Sequence, residues 1–174
     1  GPEKMSKSLG NVYNLEDVTA RGFRPSTLRY LFLGVHYRKQ LKFSWAAMVQ
    51  ADEAVRRLTD FLARLETVPV RDPNPDVRGK LDEAVKAFGE HIASDLNTAA
   101  ALGVVFDLVR ALNSTIDAGQ VGGSDAEAIR ETFDRFDRVL GVLALRRAED
   151  DEPPIPLAEI EQHIEARRAP RRAR

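Results

Sequence analysis

The 174-residue sequence predicts an all-α protein in which a loop and two short connecting helices precede an up-and-down helical bundle. Apolar residues recur at spacings of three and four along four long segments, which is the period of one helix face. Pro and Gly cluster between these segments, and valine, threonine and aromatics are not concentrated in short alternating runs as half-buried strands require. We therefore divide the chain into residues 1–43, 44–145 and 146–174.

The first region begins as a polar loop and continues as two short helices. Asn14 is the expected N-cap of the first helix, with Glu16 and Asp17 in its first turn, and Gly22 is expected to end it. Pro25 suits the first turn of the second helix. Because that helix is apolar on most sides, we expect it to be buried between other elements.

The bundle is predicted to contain four amphipathic helices that bury their apolar faces against one another. Ser44 is the expected N-cap of the first, which runs to about Glu66, and the proline-containing segment Val68–Asp76 is expected to be a linker. A break follows the second helix, where Asn97 or Thr98 can cap the third.

The last bundle helix and the C-terminal region follow a glycine-rich turn. Ser124 with Glu127 matches the spacing of a capping box, and the apolar face of the helix extends to Leu143. Residues 146–156 are acidic and then rich in proline, so we expect a second linker there. Residues 157–169 are expected to form one further helix.

Composition excludes several kinds of site. The sequence has no cysteine, which excludes disulfides, thiolate metal sites and a cysteine nucleophile within these residues. Its three histidines are far apart in sequence, so no metal site is predicted. No apolar run approaches 18 residues and the N-terminus lacks the pattern of a signal peptide. We therefore expect a cytoplasmic protein with no membrane partner.

The net charge of −1 conceals an uneven distribution. Residues 1–45 hold eight Lys and Arg against three Asp and Glu, and residues 46–165 hold thirteen against twenty-four. Residues 166–174 hold five arginines and no acidic residue. A polyanion is therefore expected to bind near the ends of the chain.

The loop Lys4-Met5-Ser6-Lys7-Ser8-Leu9-Gly10-Asn11 is the most distinctive feature of the sequence. Two lysines at a spacing of three share a short loop with hydroxyls and a glycine. Such a loop can wrap a polyphosphate, since ammonium groups act as compact cations and serines and backbone N–H groups donate hydrogen bonds. On charge alone, a solvated basic terminus is the simpler interpretation.

The order of several motifs resembles the cysteinyl-tRNA synthetases. Lys-Met-Ser-Lys-Ser is the signature loop of class I aminoacyl-tRNA synthetases, and later stretches are similar to those of the cysteinyl family. These stretches are Leu28-Arg29-Tyr30-Leu31, His36-Tyr37-Arg38 with Leu41-Lys42-Phe43-Ser44, Asp95-Leu96-Asn97-Thr98 with Ala101-Leu102, and Ile160-Glu161-Gln162 to Arg167-Arg168.

The resemblance implies a C-terminal fragment of an enzyme that activates cysteine with ATP and transfers it to tRNA(Cys). It implies that residues 44–145 form the tRNA-binding helical domain of the DALR type. Lys7 would stabilise the departing pyrophosphate and Lys4 begins the motif, so both are the expected catalytic residues. The ATP-binding residues, with Mg bound to the nucleotide, would be Lys4, Ser6, Lys7, Ser8 and Asn11.

The same resemblance implies a partner domain. The family's N-terminal nucleotide-binding domain, with its His-Ile-Gly-His type motif and a zinc ion that binds the substrate thiol, has no counterpart in these residues, so the fragment should be inactive alone. The continuation expected at the C-terminal end is also absent, which indicates that this end is truncated or altered.

Contacts with tRNA phosphates are expected from basic residues between the loop and the bundle, although solvated side chains with local ion pairs would explain each one equally well. These candidates are Arg21, Arg24, Arg29, Arg38, Lys39 and Lys42. His36, Tyr37 and Arg38 either contact the tRNA stem or lock the loop to the next domain, and we favour packing. Trp45 is interpreted as a core anchor.

Two alternatives stay open. The related cysteine ligase of mycothiol synthesis, which joins cysteine to a glucosamine-inositol, shares the loop and the fold but does not use tRNA. A stand-alone helical binding module would need no catalytic domain. An upstream nucleotide-binding domain would favour a synthetase, and salt-sensitive tRNA binding would favour the tRNA-facing role.

Overall fold

Helices make up nearly all of the regular structure in the computed structural model, which describes residues 13–69 and 71–151. No strand occurs in those two ranges, which confirms the all-α prediction. The helices are α1 (Leu15–Ala20), α2 (Pro25–Leu33), α3 (Trp45–Arg64) with a 3₁₀ turn at Leu65–Thr67, α4 (Pro75–Ala93), α5 (Thr98–Asp117), α6 (Gly123–Leu140) and α7 (Leu143–Asp151).

Three predicted helix starts are confirmed by their caps. The Asn14 side chain accepts from the Asp17 backbone N–H at 2.9 Å, and the Asp17 carboxylate accepts from the Asn14 N–H at 2.8 Å. Ser44 Oγ accepts from the Ala47 N–H at 3.1 Å and begins α3. Asn97 begins α5 in the same way. Each cap satisfies a backbone donor that the first helical turn leaves unpaired.

The predicted Ser124–Glu127 capping box is wrong. The N-cap of α6 is Gly122, and the carboxylate of Asp125 accepts from the Gly122 N–H at 2.9 Å. Asp125 is buried and also accepts from the Asn74 N–H at 3.0 Å. Its negative charge therefore stabilises the N-terminus of α6 and fixes the chain that enters α4.

The predicted linker from residue 146 is also wrong at its start, and Leu143 does not extend the preceding helix. Helix α6 ends at Gly141, whose φ of 62° is in the left-handed region. The buried Asp137 carboxylate then accepts from three successive backbone N–H groups, those of Val142, Leu143 and Ala144, at 2.7–2.8 Å. These bonds start α7, which replaces the first part of the expected linker. The helix predicted over residues 157–169 lies outside the described residues.

Helix α2 is less buried than its apolar sequence predicts. Phe32 is exposed, and the two fully buried residues of this helix are Ser26 and Thr27. Helix α2 packs mainly on α3 and also contacts α7, and the surfaces that meet there are polar. The interface between α2 and the rest of the protein therefore depends on hydrogen bonds as well as on apolar packing.

The core lies among α3, α4, α5 and α6. Phe88 of α4 stacks on Phe136 of α6 with ring centroids 4.6 Å apart, and Phe61 of α3 lies 5.2 Å from Phe133 of α6. Helix α4 packs closely along α5. By length and composition alone α5 could cross a membrane, but the apolar residues that it buries in this core, including Leu112, account for that character.

Candidate functional site

The predicted phosphate-binding loop lies outside the described residues, so the structure places none of Lys4, Ser6, Lys7, Ser8 and Asn11. The described chain begins at Tyr13, two residues after Asn11. What the structure shows is therefore the region that follows the loop and its attachment to the bundle.

An aromatic cluster anchors the first described residues. The ring of Trp45, at the start of α3, lies 4.9 Å from Tyr13, 5.2 Å from Phe43 and 6.1 Å from Phe23. The guanidinium of Arg21 lies 3.9 Å from the centre of the Trp45 ring, a cation–π contact. Trp45 thus anchors this cluster and ties the chain behind the loop to the bundle.

The stretch His36-Tyr37-Arg38 meets the turn between α4 and α5 at Asp95. Tyr37 Oη donates to Asp95 Oδ1 at 2.6 Å, and Arg38 Nε lies 3.0 Å from Asp95 Oδ2. His36 Nε2 is 3.7 Å from the same carboxylate, and the His36 ring stacks on Tyr37. Two motif stretches that are far apart in sequence therefore share one carboxylate, which agrees with the locking interpretation of this segment.

A second hydrogen bond joins the same two regions nearby. Thr98 Oγ1, at the first position of α5, donates to the backbone carbonyl of Leu33 at the end of α2 at 2.7 Å. Leu33 directly precedes the turn that leads to the His36–Arg38 stretch. The end of α2 is thus fixed to the start of α5 by a partly buried bond, while the Asp95 contacts are exposed.

A polar network that the sequence did not reveal joins α2, α3 and α7. Arg146 Nη2 donates to Thr27 Oγ1 at 2.9 Å and to Asp52 Oδ1 at 2.8 Å, and Thr27 Oγ1 donates to Asp52 at 2.7 Å. Ser26 donates to Glu149 from both its backbone N–H and its hydroxyl, at 2.8 and 2.6 Å. The Arg146 side chain is 11% exposed, so this guanidinium forms the centre of the network.

Two ionisable groups in this region have shifted pKa values. Burial acts to raise the pKa of Asp52, but hydrogen bonds from Thr27 and Arg146 and the charges of Arg146 and Arg24 outweigh it, so the pKa lies below its ordinary value. Burial raises the pKa of the Tyr30 phenol, and the charge of Arg57 only partly offsets that effect. Asp52 is therefore ionised at neutral pH and Tyr30 is neutral.

Four of the six predicted tRNA-contacting cations already have partners within the chain. Besides Arg21 and Arg38, Arg24 pairs with the exposed Asp150, and Arg29 Nε donates to the Leu140 carbonyl at 2.5 Å. Arg29 also lies against Gly141, where a Cβ atom would come within 2.9 Å of its guanidinium.

The remaining two candidates, Lys39 and Lys42, lie in the exposed segment between α2 and α3. In the described part of the chain, neither ammonium group forms an ion pair. Among the six predicted tRNA-contacting residues, Lys39 and Lys42 therefore have the positive charges that are most available to a polyanion.

A second basic surface was not predicted. A groove between α3 and α5 is lined by Arg57, Arg64 and Arg110, and Phe106 forms part of its wall. Arg64 is already bound to Asn113 and Asp117, and Arg110 to Asp107. These arginines lie on the walls of the groove, but the aspartates that pair with Arg64 and Arg110 reduce the net positive charge of the groove.

No group of three or more His, Asp or Glu side chains suited to a metal occurs among residues 13–69 and 71–151. His91 lies on α4 and His36 in the contact with Asp95. These residues do not provide a zinc site.

Comparison with known proteins gives two family models on this chain. Residues 1–53 match the class I (C) tRNA synthetase catalytic domain, and residues 87–144 match the DALR domain. The cysteine–tRNA ligase of Protochlamydia amoebophila is 36% identical over 87% of this chain, and that of Solibacter usitatus is 39% identical over 99%. The cysteine–tRNA ligase of Koribacter versatilis is 39% identical over 81%.

This chain belongs to the cysteine–tRNA ligase family. It spans about a third of the length of these relatives, between 29% and 36%. The loop lysines lie within the match to the catalytic domain, and Asp95 and Asn97 lie within the match to the DALR domain. The contacts between Tyr37 and Asp95 therefore join the two matched regions of the family.

Proposed function

We propose that this chain supplies the ATP-binding loop and the tRNA-facing helical bundle of a cysteine–tRNA ligase. The complete enzyme activates cysteine with ATP and transfers the cysteinyl group to tRNA(Cys). The observation that carries the proposal is the order of the two family matches, catalytic domain and then DALR domain, on a chain whose intervening contacts hold both regions together.

In this proposal Lys4 and Lys7 are the catalytic residues of the loop. Their ammonium groups bind the triphosphate of Mg–ATP, and Lys7 stabilises the negative charge that develops on the departing pyrophosphate. Ser6, Ser8 and Asn11 donate hydrogen bonds that shape the loop around the nucleotide. The aromatic cluster at Trp45 holds the chain that leaves the loop, so the loop is attached to a fixed base.

A separate nucleotide-binding domain of the same enzyme completes the active site in this proposal. It supplies the adenylate pocket and the zinc ion that binds the thiol of cysteine, since the sequence has no cysteine and residues 13–69 and 71–151 contain no cluster of three His, Asp or Glu suited to a metal. Without that domain the chain should not charge tRNA. We expect the enzyme to act in the cytoplasm.

Lys39 and Lys42 are the proposed tRNA contacts, and Arg21, Arg24, Arg29 and Arg38 chiefly hold the segment that presents them. Contacts to phosphate are insensitive to sequence and sensitive to salt. Replacing both lysines by alanine should weaken tRNA binding and reduce the slope of log K against log salt by about one for each lysine. Lys86→Ala, on an exposed part of α4, is the control and should change neither.

The catalytic assignment is tested by Lys7→Ala in the protein made from the complete reading frame. Cysteine-dependent exchange of pyrophosphate into ATP should slow by about 10²- to 10³-fold, because one preorganised donor to the developing charge is lost. Cysteine binding should stay nearly unchanged. Lys39→Ala is the control and should exchange at the wild-type rate, and an unchanged rate in Lys7→Ala would refute the role of the loop.

A further inference from the structure

The turn that connects α4 to α5 contains two consecutive left-handed residues that are not glycine. Asp95 has a φ of 57° and Leu96 a φ of 51°. The Leu96 N–H donates to the Ile92 carbonyl at 3.1 Å and the Asn97 N–H to the His91 carbonyl at 3.1 Å, which closes the end of α4. Glycine is the usual residue at such a helix end, since a side chain makes left-handed backbone costly.

Packing against the part of the chain that the structure describes does not offset that cost. Leu96 is 58% exposed, and the Asp95 side chain is 46% exposed. Exposed ion pairs and hydrogen bonds contribute little to stability. A strained backbone whose cost is not offset by local packing indicates a functional constraint on the turn.

The carboxylate of Asp95 is what distinguishes this turn from a glycine turn. It accepts hydrogen bonds from the Tyr37 hydroxyl and from Arg38 Nη2, its second oxygen lies 3.0 Å from Arg38 Nε, and it faces His36. The Tyr37 hydroxyl also accepts from Arg38 Nε at 2.9 Å, so one carboxylate orders the whole stretch. Glycine at this position would close α4 without backbone strain but would leave these groups without their acceptor.

We propose that Asp95 is a positioning residue, which locks the segment behind the ATP-binding loop onto the tRNA-facing bundle. The inference rests on the proposed function, because it concerns how the two regions cooperate. Transfer to tRNA requires the adenylate and the tRNA 3′ end to meet, so it depends on the relative orientation of the two regions. Formation of the adenylate does not require the bundle to be oriented.

Loss of the carboxylate should leave the fold intact. The Thr98–Leu33 hydrogen bond and the aromatic cluster at Trp45 still join the segment to the bundle. The Asp95 contacts are exposed, so they hold the orientation of Tyr37 and Arg38 and add little to the free energy of unfolding.

Asp95→Gly and Leu96→Gly form a matched pair for the test. Both relieve left-handed strain, so both should raise the midpoint of thermal unfolding, but only the first removes the carboxylate. In the complete enzyme, Asp95→Gly should lower kcat/KM for tRNA charging by about 10- to 100-fold, with pyrophosphate exchange within about twofold of wild type. Leu96→Gly should charge tRNA like wild type.

Hydrogen exchange on the 174-residue chain gives a readout that does not depend on activity. The amide of Lys39, which donates to the His36 carbonyl, should exchange faster in Asp95→Gly than in Leu96→Gly. Equal exchange in the two variants, undiminished tRNA charging by Asp95→Gly, or a proportional loss of charging and pyrophosphate exchange would each overturn the inference. An inactive wild-type enzyme would instead refute the proposed function, and the exchange comparison would still test the lock.

Discussion

Replacing Arg146 by methionine should destabilise the protein measurably, although its network is small. The guanidinium donates to Thr27, which is fully buried, and to Asp52, whose side chain is 43% exposed. Methionine keeps the apolar stem and removes the charge and both donors. The change therefore tests whether the polar network fixes α7 onto α2 and α3.

The magnitude follows from the separate contacts. A hydrogen bond to a charged partner contributes about 1.5–3 kcal/mol and one to a neutral hydroxyl about 0.5–1.5 kcal/mol. Thr27 still donates to Asp52, and Asp52 still reaches water, so neither is stranded. Arg146 Nε is buried without a hydrogen-bond partner among the described residues, which offsets part of the loss, but it lies 3.8 Å from the Glu149 carboxylate, which would keep only its bonds from Ser26. We expect the free energy of unfolding to fall by about 2 kcal/mol.

Urea unfolding with linear extrapolation measures this difference, and the m-value should not change. Arg147→Met is the matched control, because the neighbouring arginine on the same helix is 59% exposed and pairs with the exposed Asp134. That variant should lie within about 0.5 kcal/mol of wild type. Equal losses in the two variants would refute the assignment of α7 docking to the network.

Three further predictions concern stability. The pKa of Asp52 is lowered because its hydrogen bonds and neighbouring charges outweigh burial. The Asp52 carboxylate should therefore stabilise the folded protein above about pH 4, and this contribution should be lost as the pH falls through the lowered pKa. The free energy of unfolding of Asp52→Asn, measured with urea from pH 3 to 6, should lack this dependence on pH. Gly141→Ala should lower the unfolding free energy by about 1–2 kcal/mol in the same assay, because φ is 62° and the new Cβ meets Arg29; no loss would contradict the left-handed turn. Phe133→Ala should cost about 3–5 kcal/mol by urea unfolding, whereas exposed Val139→Ala should cost little.

Local signals made much of the fold predictable. Asn14, Ser44 and Asn97 each stand directly before a helix, where a short polar side chain accepts a hydrogen bond from an unpaired backbone N–H of the first turn. The box at Ser124 failed because a competing carboxylate, Asp125, also binds the distant Asn74 N–H. The choice between two locally acceptable caps was made by a tertiary contact.

The start of α7 and the network around Arg146 could not be predicted either, because both depend on contacts between residues far apart in sequence. An acidic stretch followed by prolines has the composition of a linker. Residues 143–151 are helical because the Asp137 carboxylate caps their first turn and because they pack against α2 and α3. His36–Arg38 and Asp95 belong to two separate motif stretches of the sequence. Their meeting depends on the turn after α4, whose left-handed conformation the residue types Asp and Leu do not indicate.

We propose that this chain works in an enzyme that charges tRNA with cysteine. The most direct measurement is the transfer of labelled cysteine, by the protein from the complete reading frame, to tRNA(Cys) and, in parallel, to a glucosamine-inositol acceptor. We expect ATP-dependent charging of the tRNA and no product with the sugar. Transfer to the sugar alone, or no ATP-dependent transfer to either acceptor, would contradict it.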